Sequence, residues 1–198
     1  KNLYKISKIR NGSIMSTLKV DTILKRTGTG TITVGQSGDT VDLSNATVSY
    51  NIPNFFVRPS ANQSLSNNTL TTVVFDSEIF DVGSNFASNG FTAPTTAKYC
   101  FSYAVRFGAS SNDANEFTTI VLLNGSDFFS LGNNNAFLQD MYTSGNNHGN
   151  GVSNNSFILS LTANDVITIQ AKQNNNGGGA GSVKSSGTFF CGYQLIGA

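Results

Sequence analysis

The chain has 198 residues, 12% of them charged, and a formal net charge of +1. That length allows one domain of ordinary size plus an extension, and no apolar run approaches the length of a membrane-spanning segment. The polar residues are mostly Asn, Ser, Thr and Gly, which suit exposed loops on a framework of β-strands. The composition therefore favours an all-β protein and does not predict membrane insertion.

Basic side chains are concentrated at the N-terminus. Residues 1–26 carry a balance of +6 and residues 27–198 a balance of −5. The basic residues of this end are Lys1, Lys5, Lys8, Arg10, Lys19, Lys25 and Arg26. Such an end either attaches electrostatically to an acidic partner or is a solvated tail. The acidic balance of the remainder argues against nucleic-acid recognition there.

Residues 17–50 contain very short alternating segments separated by glycine turns. Segments of this kind bury a face only by pairing with other chains or by coiling into a shaft. Thr17-Leu-Lys-Val-Asp-Thr-Ile23 and Val41-Asp-Leu-Ser-Asn-Ala-Thr-Val48 resemble N-terminal segments of structural and tail-fibre proteins of marine tailed phages. We therefore predict that residues 1–52 form a basic anchor and short β shaft that binds other virion proteins. Residues 1–14 precede Met15 and are expected to be either an upstream extension or part of a processed chain.

Pro53 closes this region, and residues 53–198 predict a single all-β domain. We predict strands over Phe55–Arg58, Thr71–Phe75, Tyr99–Phe107, Phe117–Leu123, Phe157–Leu161, Val166–Gln170 and Phe189–Ile196. Residues Tyr99–Phe107 alternate large apolar with smaller or polar side chains, which is typical of a strand with one buried face. Many short strands without a periodic helix indicate a β-sandwich or jelly roll.

Two turns are predicted between these strands. Asn124-Gly125 is a strong hairpin signal because both residue types accept a positive φ, and Phe128-Phe129 would begin the return strand. Thr162–Asp165 would join Phe157–Leu161 to Val166–Gln170 as a second pair of strands.

Four motifs of this domain resemble, in the same order, those of the globular head domain of C1q-like and tumour necrosis factor-like trimers. They are Phe55-Phe-Val57 with Val74-Phe-Asp76 and Phe80-Asp81, Gly90-Phe-Thr-Ala-Pro94 with Tyr99-Cys-Phe101, Leu161-Thr-Ala-Asn-Asp-Val166, and Phe190-Cys-Gly-Tyr193. Ala97 and Asn164 stand where the family pattern has glycine. The resemblance implies a ten-stranded jelly roll over residues 53–198, assembled as a homotrimer, with ligands met on loops.

The last predicted strand is apolar on both faces, so one face needs burial beyond the sandwich core. Either another subunit or overlying loops would cover it. The predicted residues of the core and trimer interface are Tyr99, Phe101, Tyr103, Phe189, Phe190, Tyr193 and Ile196.

Groups able to perform catalysis are sparse. The single histidine, His148, lies in a Gly/Asn-rich loop and lacks further residues at metal-ligand spacing, so it is expected to be a surface residue. Cys100 and Cys191 are each flanked by aromatic residues, on strands that the family fold places side by side. We predict two buried thiols in preference to a disulfide, because cross-strand geometry seldom suits that bond.

Asp76, Glu78 and Asp81 are candidate ligands for a calcium ion of the kind that some members of the resembled family bind. Their spacing is not that of a calcium loop, and solvated loop carboxylates are the alternative. We predict no catalytic residue and no cofactor, with calcium as the one ion considered.

These features together predict a non-enzymatic virion structural protein of a tailed phage, located on the particle surface as a fibre, appendage or capsid decoration. Its trimeric head would contact a host surface glycan or protein, or stabilise the particle. The alternative is a secreted C1q-like lectin or matrix adhesion protein, which requires a signal sequence upstream of Lys1 and an oxidised cysteine pair. A glycan depolymerase ranks third and requires carboxylates facing one groove.

Overall fold

A computed structural model describes Thr40 and residues 52–109, 114–127, 150–175 and 178–196. The chain divides into two units, Lys1–Val48 and Ser49–Ala198. The seven basic residues of the predicted anchor, the His148 loop and Phe128-Phe129 lie outside the described residues. The predicted domain boundary at residues 52 and 53 stays a prediction.

The described residues form thirteen strands and no helix. The strands are β1 (Asn54–Arg58), β2 (Gln63–Leu65), β3 (Thr71–Thr72), β4 (Ser77–Val82), β5 (Phe86–Ala87), β6 (Gly90–Thr92), β7 (Ala97–Ala109), β8 (Ala114–Leu123), β9 (Ser126–Asp127), β10 (Asn150–Leu161), β11 (Val166–Asn175), β12 (Gly181–Val183) and β13 (Phe189–Gln194). Ten of them have three or more residues. Within this part of the chain, nothing forms a helix of the length and apolarity that crossing a membrane requires.

The strands form two antiparallel sheets. In the first sheet β13 and β12 pair with successive parts of one edge of β7, and β10 pairs with its other edge. The sheet continues from β12 to β2 and from β13 through β1 to β4. In the second sheet the order is β5-β6-β11-β8-β9, with β3 also paired to β11. Apolar side chains from both sheets form one buried cluster between them. The predicted all-β jelly-roll sandwich is confirmed.

Strand β7 crosses the middle of the first sheet and supplies the centre of the core. Its residues Tyr99, Phe101, Tyr103, Val105 and Phe107 are fully buried, as their alternation predicts. The Phe101 ring lies within 6.4 Å, centroid to centroid, of four phenylalanine rings: Phe55, Phe91, Phe157 and Phe190. Large aromatic side chains contribute most of the apolar area that such a core buries.

A chain of hydroxyl groups crosses this apolar core. The Tyr103 hydroxyl lies 2.8 Å from Thr119 Oγ1, which lies 2.6 Å from Ser153 Oγ, and all three residues are buried. Buried hydroxyls are tolerated because each one has a partner.

We expect Thr119→Val to lower the free energy of unfolding by about 1 kcal/mol, because the methyl group that replaces the hydroxyl removes the middle member of this chain. Chemical denaturation of both proteins measures the difference. Thr168→Val, on the half-buried side of β11, is the matched control and should change stability by less than about 0.5 kcal/mol. Equal effects of the two substitutions would contradict a stabilising role for the hydroxyl chain.

The strand predicted over Thr71–Phe75 ends at Thr72, although Val73 and Phe75 are buried as its pattern requires. Side-chain amides take over the backbone donors that a longer strand would have paired. Gln63 Oε1 accepts a hydrogen bond from Val74 N, and Asn89 Oδ1 accepts one from Phe75 N. Val73 N still donates to Ile169 O of β11, so the backbone donors of Val73, Val74 and Phe75 are all paired.

The predicted pairing of Phe157–Leu161 with Val166–Gln170 is wrong, although both segments are strands. Strand β10 pairs with β7 in the first sheet, and β11 pairs with β8 in the second. The turn between them is bound to the Asn124-Gly125 hairpin, since Val166 N donates to Asn124 Oδ1. The turn therefore carries the chain from one sheet to the other.

The Asn124-Gly125 hairpin itself is confirmed. Both residues have positive φ, 52° and 77°, and they connect β8 to β9. The return strand begins at Ser126, earlier than predicted, because the two-residue turn brings Ser126 directly opposite Leu123.

Candidate functional site

The first sheet has a second apolar side, which faces away from the core. We call it the outer face and define it by Phe56, Phe80, Val82, Cys100, Ile158, Phe189, Cys191 and Tyr193. Side chains alternate between the two sides of a strand, and the neighbours of these residues in β1, β7 and β13 are buried in the core. Strands β1 and β13 thus carry apolar side chains in both directions, whereas β4 has Asp81 and Glu78 opposite the inward-facing Phe55 and Val57.

Strand register aligns these side chains in rows across the sheet. Phe80, Phe56 and Cys191 lie side by side on β4, β1 and β13, and the row continues through Ser102 and Ser156. Directly opposed residues are the pairs that contact most closely. The row is uncharged across the five strands.

The next row of the outer face is also uncharged and crosses the same strands. It consists of Val82, Asn54, Tyr193, Cys100 and Ile158, on β4, β1, β13, β7 and β10. Its two ends are exposed aliphatic side chains at opposite margins of the sheet. Among the described strands, the outer face therefore has apolar side chains at both margins, with aromatic, cysteine, serine and asparagine side chains between them.

The aromatic rings of the outer face contact one another. Phe56 stacks on Phe189 with 5.5 Å between ring centroids and lies 6.2 Å from Phe80. Phe80 is 47% exposed, Tyr193 50%, Ile158 58% and Ile196 64%. A groove of about 640 Å³ runs along these rings, between Phe56, Phe80, Tyr193 and Ile196. A contiguous exposed apolar patch of this kind marks an interaction surface.

A β-bulge adds a further apolar residue at the margin of the sheet. Phe56 pairs with Phe80 but Val57 pairs with Glu78, so Ile79 is the extra residue of β4 and is 52% exposed. Among the described residues, β4 pairs with β1 alone. Edge strands are commonly bulged, which bends them and interrupts further pairing. The apolar side chains of β4 are thus available at an edge that pairs with no further strand among the described residues.

The chain is similar to solved globular domains. The globular domain of zebrafish complement 1qA protein has 14% identity and a TM-score of 0.46, over 73% of this chain and 98% of that one. Murine APRIL at pH 8.0 has 14% identity and a TM-score of 0.47, over 73% and 99% of the two chains. Murine APRIL at pH 5.0 has 15% identity and a TM-score of 0.48, with the same coverage. No protein-family model and no curated protein matches the chain.

The predicted interface and core residues separate into two groups. Tyr99, Phe101, Tyr103 and Phe190 are fully buried within the single subunit. Phe189, Tyr193 and Ile196 point away from that core, and the last two are half exposed or more. Strands β7 and β13, which carry most of these residues, are direct neighbours in the sheet. Only Phe189, Tyr193 and Ile196 remain available to a partner subunit.

Four outer-face residues were missed by the sequence reading: Phe56, Phe80, Val82 and Ile158. For Phe56 the signal was present, because Phe55-Phe56 is apolar on successive positions just as Phe189-Phe190 is. Ile158 has the same signal within Phe157-Ile-Leu159. Phe80 also has it within Ile79-Phe80. Val82 lacks it, because it lies between Asp81 and Gly83.

The two cysteines lie on the outer face and are free thiols. The prediction of buried thiols is corrected to half-buried ones, because the alternation of β7 and β13 turns both away from the core. Cys100 is opposite Tyr193, and Cys191 is opposite Ser102, so the two cysteines are diagonal neighbours. Burial, with a smaller contribution from Cys100, raises the pKa of the Cys191 thiol. A hydrogen bond with Cys100 raises the pKa of Tyr193.

The three candidate calcium ligands are not brought together. Asp76 accepts hydrogen bonds from Ser60 N at 2.7 Å and Ser60 Oγ at 2.6 Å, which lower the pKa of its carboxyl group. Asp81 accepts from the backbone of Asn85 and Phe86. Across residues 52–109, 114–127, 150–175 and 178–196, no group of three such side chains is placed to hold a metal ion. Calcium binding through Asp76, Glu78 and Asp81 stays a prediction.

Asp165 ties the two turns at the end of the sandwich together. Its carboxylate accepts hydrogen bonds from Asn124 Nδ2 and from Thr162 N, both at 2.8 Å. These two bonds lower the pKa of Asp165. Because the folded-state pKa lies below the unfolded one, the carboxylate stabilises the fold above about pH 4, and this stabilisation is lost as the pH falls through the folded-state pKa.

Acidification from pH 6 to pH 3 should therefore lower the free energy of unfolding less in Asp165→Asn than in the wild type. Denaturant titrations at the two pH values measure this difference. Glu78→Gln removes an exposed carboxylate that accepts none of these hydrogen bonds, and it should keep the full wild-type drop. An unchanged drop in Asp165→Asn would show that this carboxylate does not couple folding to pH.

Proposed function

We propose that the protein is a non-enzymatic structural and binding module whose head domain assembles as a homotrimer through the outer face. The observation that carries this proposal is the two uncharged rows of the outer face, with Phe80, Tyr193 and Ile158 about half exposed on a folded subunit. Covering such a patch stabilises the assembly by roughly 25 cal/mol for each Å² of apolar area that is removed from water. A second copy of the chain is the occupant that we propose.

The difference between the two margins of the sheet, and the distance between them, favour a closed ring of copies over a two-fold pair. The apolar margins of the sheet differ, with Ile79, Phe80 and Val82 on β4 at one side and Ile158 on β10 at the other. Four strand spacings, or roughly 19 Å, separate them. A contact that joins unlike margins is heterologous, and heterologous contacts form a ring when the rotation between copies closes and an open filament when it does not. The head-domain motifs, which resemble those of trimeric proteins, support a ring of three.

We propose further that the trimer belongs to the virion of a tailed phage. Support comes from the phage-like motifs of residues 17–48 and from the balance of +6 over residues 1–26. Residues 1–52 would bind other virion proteins, and the head would contact a host glycan or protein or stabilise the particle. Three weak sites on one trimer would act together through avidity.

The placement of the thiols favours this proposal over the secreted alternative. A secreted C1q-like adhesion protein was expected to need an oxidised cysteine pair. Diagonal neighbours in a sheet have Cα atoms roughly 7–8 Å apart, whereas a disulfide requires about 4.4–6.8 Å. The register of Cys100 and Cys191 therefore disfavours the bond that the alternative needs.

Native mass spectrometry of the full chain at micromolar concentration tests the assembly, with a single species at three times the chain mass expected. A monomer under these conditions would overturn the trimer proposal. Incorporation into particles tests the anchor: deletion of residues 1–26 should abolish incorporation and leave the trimer intact. Unchanged incorporation would overturn the anchor while leaving the trimer in place.

A further inference from the structure

The first sheet carries charges of opposite sign at its two margins. At the β4 margin, strand β4 and the residue before it carry three carboxylates, those of Asp76, Glu78 and Asp81, and the adjoining β1 carries Arg58. Three negative charges and one positive charge give this margin a balance of −2. Asp76 and Glu78 are both exposed, so the margin presents negative charge to solvent.

The β10 margin has the opposite sign. Strand β10 itself has no charged residue, and the adjoining β7 has two, Lys98 and Arg106. Both alternate with the buried residues of β7, so both lie on the outer face. Arg106 is paired with Val152, and its long side chain can span the one strand spacing, about 4.8 Å, to the edge of the sheet. This margin therefore has a balance of +2.

The charges of the two margins are not compensated within the subunit. Across the residues that the structure describes, the one ion pair joins Lys172 to Glu116 on the second sheet. Arg106 Nη1 donates a hydrogen bond to Ser186 Oγ at 3.0 Å, and this hydroxyl is a neutral partner. Compensation for either margin must therefore come from dissolved ions or from another molecule.

The rows of the outer face give each charge a height along the strands. One row ends at Val82 on the β4 margin and at Ile158 on the β10 margin. A rotation about an axis parallel to the strands leaves heights unchanged, so it brings Val82 of one copy against Ile158 of the next. Counted in paired positions from this row, Arg106 stands at six, Asp76 at five and Glu78 at three, since the bulge residue is unpaired. Arg106 thus differs in height from Asp76 by roughly 3 Å and from Glu78 by roughly 10 Å.

We propose that the β4 margin of one copy binds the β10 margin of the next through opposite charge, with Arg106 opposite Asp76 and Glu78, and that this pairing sets the direction of the ring. The inference rests on the proposed trimer. A two-fold contact between like margins would place −2 against −2 or +2 against +2, which repel each other. Apolar burial therefore supplies the attraction between copies, and the charges select which margins meet.

Assembly should then depend on ionic strength. Charges at partly exposed margins are screened by salt, and the screening length falls from about 30 Å at 0.01 M to about 8 Å at 0.15 M. We expect the association constant of the wild-type trimer to fall about tenfold between about 20 mM and about 500 mM NaCl. A contact made by apolar burial alone would not weaken as salt is added.

A double-mutant cycle tests the contact between Glu78 and Arg106. The full-length wild type, Glu78→Lys, Arg106→Glu and the double variant are compared by sedimentation equilibrium in about 20 mM NaCl. Each reversal acts at three contacts, so each single variant should lose about tenfold in the trimer association constant. The double variant restores opposite charges at these two positions. Its loss should therefore be about tenfold smaller than the product of the two single losses.

Gln170→Lys is the matched control for Glu78→Lys. Gln170 is half-buried on β11 and alternates with core residues, so a lysine there lies on the far side of the second sheet and outside both margins. This substitution should leave the association constant within about twofold of the wild type. Combined with Arg106→Glu, it should recover none of the loss.

Two results would overturn the inference: independent losses that simply multiply in the double variant, or losses that persist undiminished in about 500 mM NaCl. Urea denaturation checks that each variant is folded. Arg106→Gln replaces Arg106→Glu if the latter unfolds, and it should give a coupling about half as large on a logarithmic scale, because it removes the charge without reversing it. A wild-type chain that stays monomeric at both salt concentrations would instead overturn the proposed trimer, so the two failures are distinguishable.

Discussion

We expect the Phe80→Asp chain to fold normally and to remain monomeric at concentrations where the wild-type chain forms trimers. Phe80 is half exposed on an edge strand, so its loss removes little from the core of the single subunit. In the assembly, the substitution forfeits about 1 kcal/mol of apolar burial at each contact and places an unpaired carboxylate in an apolar groove. A loss of ~2 kcal/mol at each of three contacts weakens the trimer roughly 10⁴-fold.

Leu70→Asp provides the matched control for this prediction. Leu70 is also a large apolar residue with 43% exposure, but it lies between β2 and β3 and outside the outer face. The substitution adds the same charge as Phe80→Asp but at a position outside the proposed interface. The Leu70→Asp chain should therefore still form trimers. Sedimentation equilibrium of both variants measures the association constants. Trimers of wild-type strength in Phe80→Asp would show that subunits associate through some other surface.

The core of the fold was predictable because its strands carry their pattern locally. In Tyr99–Phe107 each large buried residue is followed by a smaller or polar one, and the observed burial alternates except at Ala104, which is also buried. The segment Thr71–Phe75 has the same local appearance, yet Val74 N and Phe75 N donate to the side chains of Gln63 and Asn89. The side-chain amides of Gln63 and Asn89 are more than ten residues distant in sequence, so the pattern of the segment does not predict these hydrogen bonds.

The pairing of strands was less predictable than their positions. Strands β10 and β11 are separated by a short turn, which normally indicates a hairpin. They enter different sheets because Asn124 and Asp165 hold the turn against the β8–β9 hairpin. Hydrogen bonds across some forty positions of sequence therefore decide this part of the topology.

The outer face was predictable only in part. The last strand is apolar on both sides, although a sandwich needs only one apolar face, and this pattern indicated Phe189 and Tyr193 as interface residues. The pattern of the last strand did not indicate Phe80, because the position of Phe80 beside Phe56 depends on a bulge and on pairing between β1 and β4. Patterns within one strand indicate that a surface exists, whereas its extent depends on register between strands.

Gly192→Ala is expected to destabilise the fold more than the other substitutions considered. Gly192 lies on β13 between Cys191 and Tyr193, and the missing side chain would point into the core. An added Cβ would lie 2.5 Å from Phe101 Cδ1 and 2.9 Å from Phe55 Cε1. These rings belong to the packed aromatic centre and have no free space to move into. Overpacking of this kind costs about 1–3 kcal/mol, and we expect the upper end of that range.

Gly108→Ala is the matched control on β7. There an added Cβ meets only the far end of the flexible Lys184 side chain, which moves at little cost. We expect a change below about 0.5 kcal/mol. Both substitutions are to be measured by urea denaturation in the Phe80→Asp monomer, so that subunit association does not contribute. Equal losses of stability from Gly192→Ala and Gly108→Ala would show that β13 does not pack against the aromatic centre as described.

The same substitution connects the core to the outer face. If the two rings cannot move inward, strand β13 must move outward, and Cys191 and Tyr193 move with it. The groove that these residues line would then fit its partner less well. We therefore expect Gly192→Ala, placed in the wild-type chain, to weaken the trimer beyond what its loss of subunit stability explains. An association constant that is unchanged once folding is complete would show that the outer face tolerates displacement of β13.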